Sequence, residues 1–329
     1  MNMKRKIFLA LTTVLSAVFL ASCSCDSCAG NTKVSFKDYY LQDADHAAGN
    51  EFNETITYSV THTGNNTYNN YSVQYSNGTY QTNLKKVSDE KGDTYILFTS
   101  TFSINVSYTY NGETSELFTD TSTSAVTFRD AKNMLTPVSS TKTVYSHSPA
   151  QSANALKDCY VEYHQTVTTT YNSDCTAGSS NIINHLKADE KTSYDFEIED
   201  TDKYAYLDNE QLLFALRCMN PNTTGKVQVY SPFANSVQTI STAFGSSNST
   251  DFKNLTINGK THESLQISYL PVTMEIDVKN NGTTQTAWIA ETKNTNNNTY
   301  RNVMLKYIVP LPFTLGELHY NLVSADFIN

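Results

Sequence analysis

Apolar and polar residues alternate with a period of two along most of this chain, the pattern of strands buried on one face. In Asn53 to His62, Ile56, Tyr58 and Val60 alternate with Thr55, Thr57, Ser59 and Thr61. Tyr71, Val73 and Tyr75 follow, then Tyr80, Thr82 and Leu84. From Tyr95 to Tyr110, Ile96, Phe98, Phe102, Ile104, Val106 and Tyr108 share one parity and Thr99, Thr101, Ser103, Asn105 and Ser107 take the other. The C-terminal part repeats the pattern. Leu270, Val272, Met274, Ile276 and Val278 share a face; Val303, Leu305, Tyr307 and Val309 form a second run; Leu318, Tyr320 and Leu322 form a third.

The punctuation between these runs predicts an antiparallel meander. Asn-Gly stands at 77–78, 111–112, 258–259 and 281–282. A type I′ hairpin needs positive φ at both central residues, and Asn-Gly supplies it at least steric cost. Strands well beyond the usual ~5–6 residues must twist and coil. The predicted fold is therefore mainly β: a long-stranded antiparallel meander curled into an open half-barrel, with one or two short helices across its mouth. Asp208-Asn209-Glu210-Gln211 reads as an N-cap with Gln at N3, opening a helix over Leu212 to Met219 that stops before Pro221. Asn181 to Leu186 is a weaker helical candidate.

The N-terminus follows a different rule. Lys4, Arg5 and Lys6 precede an apolar run from Ile7 to Leu20, too short and wrongly flanked for a spanning helix. Leu20-Ala21-Ser22-Cys23 then resembles a bacterial lipobox, where a signal peptide is cut and acyl chains such as palmitate are attached. The expected organisation is a lipoprotein signal over residues 1–22, a lipidated flexible tether over 23–32 and one β-rich domain over 33–329. Each buried CH2 contributes ~0.8 kcal/mol, so two or three acyl chains on Cys23 would hold the domain at a membrane, outside the cytoplasm. The tether reaches ~35 Å at most.

Composition narrows the partners. Charged residues are only 17% and the net charge is −9, which argues against nucleic acid and against a polybasic grip on anionic lipid. The membrane is expected as a partner through the lipid alone. Cys25 and Cys28 lie in the tether without a second pair to complete a zinc site, and Cys159 and Cys175 bracket a predicted strand ~40 Å long. None of the seven histidines falls in a metal-binding or nucleophile signature. Asp195, Glu197, Glu199, Asp200 and Asp202 read as a solvated face opposite Phe196 and Ile198 rather than a calcium loop. No metal, cofactor or catalytic residue is expected, and the protein is read as a non-enzyme. The 22 tyrosines suit cross-strand packing or an exposed binding face.

Three stretches carry a family resemblance. They are the helix Leu212-Leu213-Phe214-Ala215-Leu216-Arg217, the strand Thr286-Ala287-Trp288-Ile289-Ala290-Glu291, and the closing hairpin with Gly316, Leu318 and Leu322. From about Leu207 to Phe327 the chain resembles a domain-of-unknown-function family of bacterial envelope proteins, itself similar to the open half-barrels of the Lol-pathway lipoprotein carriers. Arg301-Asn302-Val303 lacks the proline that usually follows the arginine in that family. The resemblance implies a deeply curved sheet whose concave face holds an apolar ligand. If each strand turns its more apolar parity inward, Phe102, Ile104, Val106, Val272, Met274, Ile276, Leu305 and Leu318 line that concavity, with Leu213 and Leu216 as a lid. A bulge near Tyr269-Leu270 would invert the parity locally. The leading expectation is a membrane-anchored binder of a lipid or other apolar small molecule. The alternative is a cell-surface adhesin or a carbohydrate-binding or structural module, which would show a filled interior and exposed aromatic rings.

Overall fold

The computed structural model describes residues 34–36, 53–129, 135–200, 203–222, 225–276, 284–291 and 300–328. Cys23, the signal, the tether and the Asn281-Gly282 pair lie outside the described residues, as does the Ile276 side chain.

The alternating runs become strands, and the chain is mainly β. In order they are β1 (Asn53–Thr63), β2 (Thr67–Tyr68), β3 (Tyr71–Ser88), β4 (Thr94–Tyr110), β5 (Glu113–Thr114), β6 (Phe118–Arg129), β7 (Pro137–Pro149), β8 (Tyr160–Tyr171) and β9 (Ala177–Asn184). The second half adds β10 (Glu190–Glu197), β11 (Ala205–Leu207), β12 (Gly225–Ser231), β13 (Ser236–Phe244), β14 (Asn248–Ile257), β15 (Lys260–Ile276), β16 (Thr284–Ala290), β17 (Met304–Pro310) and β18 (Glu317–Ile328). One half of the sheet runs β10-β9-β8-β7-β6-β4-β3-β1. β1 pairs with β18, and the other half continues β18-β17-β16-β15-β13-β12-β11. All of these pairings are antiparallel except β11 with β12. Among the described residues β10 pairs only with β9 and β11 only with β12, so the curved sheet is open at that seam.

A single helix occupies the concavity. A 3₁₀ turn, Asn209–Gln211, leads into it, and Asp208 caps that turn through a complete capping box: its side chain accepts from the turn's backbone while Gln211 accepts from the Asp208 N–H. α1 (Leu212–Leu216) is buried on every side, which suits an apolar run with no polar stripe. Phe214 packs against Phe98 and Phe128, with ring centroids 5.6 and 5.3 Å away. Arg217, just past the helix, makes two hydrogen bonds to the Glu54 carboxylate at 2.5 and 2.9 Å, fastening the helix to β1. Phe36 bridges Met219, so the chain entering the domain is pinned at the same place.

Several expectations need correction. Asn77-Gly78 is no hairpin: β3 runs through it, with a register shift against β4 between Ser76 and Thr79. Asn77 takes the positive φ that a bulge needs, while Gly78 leaves room for β1, since a Cβ there would lie 2.4 Å from the Val60 carbonyl. Asn111-Gly112 and Asn258-Gly259 do close hairpins with both residues at positive φ. Asn181 to Leu186 is the end of β9 and the start of a 3₁₀ turn at His185–Lys187, and the expected helix over Leu212 to Met219 shortens to α1. The parity of β15 inverts as anticipated, but the ladder to β16 stays in register. Ile267 and Tyr269 are buried before Pro271, Val272 and Met274 after it, where β15 exchanges β14 for β13.

Candidate functional site

The described residues expected to line an apolar concavity are not open to it. Phe102, Ile104, Val106, Leu213, Leu216, Val272, Met274, Leu305 and Leu318 share one core cluster, none more than 6% exposed. The cavity bordering Leu213, Phe214 and Met304 measures about 10 Å3, room for about one water. The protein's own side chains fill the curve of the sheet: the helix expected as a lid is buried, with Phe214 against Phe98 and Phe128, and the Tyr320 ring packs against Tyr80, Phe102 and Tyr307.

Away from the helix the inner face turns polar. Ser100 and Ser124 face each other across β4 and β6 at 2.8 Å, and Ser122, Ser140, Lys142, Gln165, Thr169 and Ser180 are all buried. The charged members cluster at the helix cap. Asp208 Oδ2 accepts from the Ser140 and Tyr171 hydroxyls at 2.7 and 2.6 Å, and Oδ1 accepts from the Glu210 N–H at 2.7 Å. Burial first, and then the Glu210 carboxylate, hold Asp208 above the usual carboxylate range. Burial and then Asp208 push the Tyr171 phenol well up. Lys142 pairs with Glu210 at 3.1 Å. Such a cluster can mark catalysis. Here Asp208 is consumed by its cap bonds, and the cavity among Ser140, Lys142, Asp208, Glu210 and Phe233 is about 10 Å3, too small for a substrate. We read it as the polar mounting of the helix.

A roomier site lies at the open end of the sheet. Thr170, Tyr171 and Asn172 of β8 and its turn, Ala177 to Ser179 of β9, and Asp195 to Glu197 of β10 line a groove of about 660 Å3. That volume falls within the range of small-molecule sites. Two rings border it, the half-buried Tyr171 and the buried Phe196. Phe196 stacks on Tyr230 with centroids 3.8 Å apart, and Tyr171 meets Phe196 edge-on at 5.8 Å. Gly178 permits this, because a Cβ there would lie 2.4 Å from Phe196 Cζ. Along the opposite parity stand exposed Thr170, Asn172, Asp195 and Glu197. Asn172 Oδ1 accepts the N–H groups of Thr176 and Ala177, which fixes the turn forming one wall.

No family model matches the chain, and no curated protein matches it. One solved structure that it is similar to is a crystal structure of a beta-barrel-like protein of domain of unknown function DUF1849 from Brucella abortus. The two are 9% identical, the match covers 84% of this chain and 98% of that one, and the TM-score is 0.47.

The alternation over 195–198 predicts Asp195 and Glu197 on the face opposite Phe196, and that is where they lie. Tyr171, Asn172 and Gly178 carried no signal of their own, since it is the β8–β9–β10 register that sets Gly178 between Tyr171 and Phe196. No group of three or more metal-ligating side chains occurs among the described residues. The described cysteines, Cys159, Cys175 and Cys218, are buried and form no disulfide with one another.

Proposed function

We propose that this protein is a membrane-anchored extracytoplasmic binding module without catalytic activity, and that its ligand is a carbohydrate in the β8–β10 groove rather than a lipid in the concave sheet. The observation that carries the reading is the contrast between the two places. The aliphatic residues of the concavity are buried in one core cluster, whereas the groove is open, with exposed Thr170, Asn172, Asp195 and Glu197 along it and the half-buried Tyr171 ring beside them. Sugars present apolar C–H faces and hydroxyl edges. Aromatic rings suit the former, and carboxylate and amide oxygens accept from the latter.

A glycan array probed with the full-length protein in a mild uncharged detergent tests the groove. Binding to a defined set of glycans, lost in Asp195→Asn/Glu197→Gln, is the expected outcome. Array signal that survives this double change removes the groove from the reading. The anchor is tested separately: Cys23→Ala should leave unprocessed precursor or move the protein to the soluble fraction. Normal processing and membrane partition in that variant would show that Cys23 carries no lipid.

A further inference from the structure

We propose that a second surface, distinct from the groove, docks an extended basic segment of a partner protein. It is a strip of half-buried rings, Phe118, Tyr160, Tyr145, His164 and His185, that begins at the start of β6 and runs along β7 and β8 over the buried His147. Phe118 stacks on His147 at 3.9 Å, and Tyr160 packs against both, at 4.9 and 5.4 Å. Tyr145 meets His147 at 5.1 Å and His164 at 5.4 Å, and His164 meets His185 at 4.6 Å. Tyr145 and His164 are direct cross-strand partners, so the contact follows from the register.

The ends of the strip are exposed and apolar. Leu117, next to Phe118, is 62% exposed, and Leu186, next to His185, is 47% exposed. Together with Val323 they are the exposed large hydrophobic residues among the described ones. Their placement at the two ends of one aromatic strip, on a surface otherwise rich in Ser, Thr and Asn, marks an interaction face.

Charge selects the partner. Glu162 lies opposite His147 in the β7–β8 ladder, on the same face as Tyr160 and His164 and between them. Burial is the main cause that raises the Tyr145 phenol; Glu162 comes next and Glu116 further down. Burial, then Glu116 and Glu162, raise Tyr160. Both carboxylates therefore stand close to the rings. Asp189 adds a third at the His185 end, 2.6 Å from its Nδ1, while the nearby Lys187 is paired with Glu190. Arg and Lys side chains stack on aromatic faces and pair with carboxylates. The exposed leucines favour a polypeptide over a sugar, and the carboxylates disfavour an anionic membrane.

The test uses the full-length protein in uncharged detergent and a fluorescent synthetic peptide with an Arg-Ser-Leu repeat; a Glu-Ser-Leu peptide is the counterpart. Saturable binding of the basic peptide is expected, weakening as salt rises. Tyr145→Ala, Leu186→Asp and Glu162→Gln should each weaken it at least tenfold, whereas Glu263→Gln, which removes an exposed carboxylate elsewhere, leaves it unchanged. Leu186 is exposed, so its substitution spares the fold. Equal binding of the acidic peptide, or basic-peptide binding that Tyr145→Ala and Leu186→Asp leave intact, overturns the proposal. So does a strip that instead retains glycans or phosphatidylglycerol vesicles in a Tyr145-dependent way.

Discussion

Asp208 places a buried carboxylate where helix, sheet and groove meet, and its two oxygens serve β7, β8 and the 3₁₀ turn that leads into α1 at once. Because burial raises its pKa from 3.8, the folded state holds its proton at pH values where the unfolded chain has released it. Folded protein then binds more protons than unfolded, so this residue's contribution to stability falls as pH rises from near 3.8 through the higher folded value, and is constant above it. The slope is at most about 1.4 kcal/mol per pH unit. Asn at the same position remains a good N-cap and does not titrate. The stability difference between wild type and Asp208→Asn, from urea midpoints at a series of pH values, should shrink as pH rises through that window. A flat difference means that Asp208 titrates like a free carboxylate. Glu54 and Arg217 are a second buried pair, and here charge is matched. Glu54→Gln leaves the guanidinium uncompensated and should lower the unfolding free energy by about 3–5 kcal/mol. Replacing both with methionine should restore much of that loss, since a buried pair contributes little beyond an apolar equivalent of similar volume.

At the level of elements, glycine reports what the pattern alone does not. Gly112 and Gly78 both follow asparagine, yet one closes a hairpin and the other lets two strands approach. A Cβ on Gly112 would meet nothing within 4 Å, so Gly112→Ala is opposed only by its φ of +85°. A Cβ on Gly78 would press into Val60, so Gly78→Ala must shift β1 against β3, at a cost of about 1–3 kcal/mol. Hydrogen exchange should show the difference: Gly78→Ala loosens amides along both strands, Gly112→Ala only those of its turn. Strand existence, length and parity were legible in sequence because the period of two is local. Whether an Asn-Gly pair turns the chain or bulges it was not, because that depends on which strand passes beside it. The β15 inversion was legible as a possibility at Tyr269-Leu270, and became definite only with the partner exchange at Pro271.

The described residues form a curved open sheet with a helix buried in its concavity, and this bears on both ligand expectations. Sequence showed an apolar helix and an apolar concave parity, but not the depth to which one enters the other, since that depth is set by the curvature of the entire sheet. Phe214 makes the point testable. It is 1% exposed and packs between Phe98 and Phe128. Phe214→Ala should cost about 3–5 kcal/mol, because the surrounding strands cannot collapse onto the space. An apolar cavity of that kind stays dry and accepts small apolar molecules. Full-length wild type, purified and extracted with organic solvent, should yield no stoichiometric non-covalent lipid, and should show no saturable uptake of benzene. Phe214→Ala should take up benzene and recover thermal stability in its presence, since a ligand that binds only the folded state stabilises it by mass action. Stoichiometric non-covalent lipid in the wild type would mean that α1 moves aside, and would return the concave face to the role of ligand site. Uptake confined to the variant would mean that this curved sheet has filled its own concavity and left binding to its outer surface.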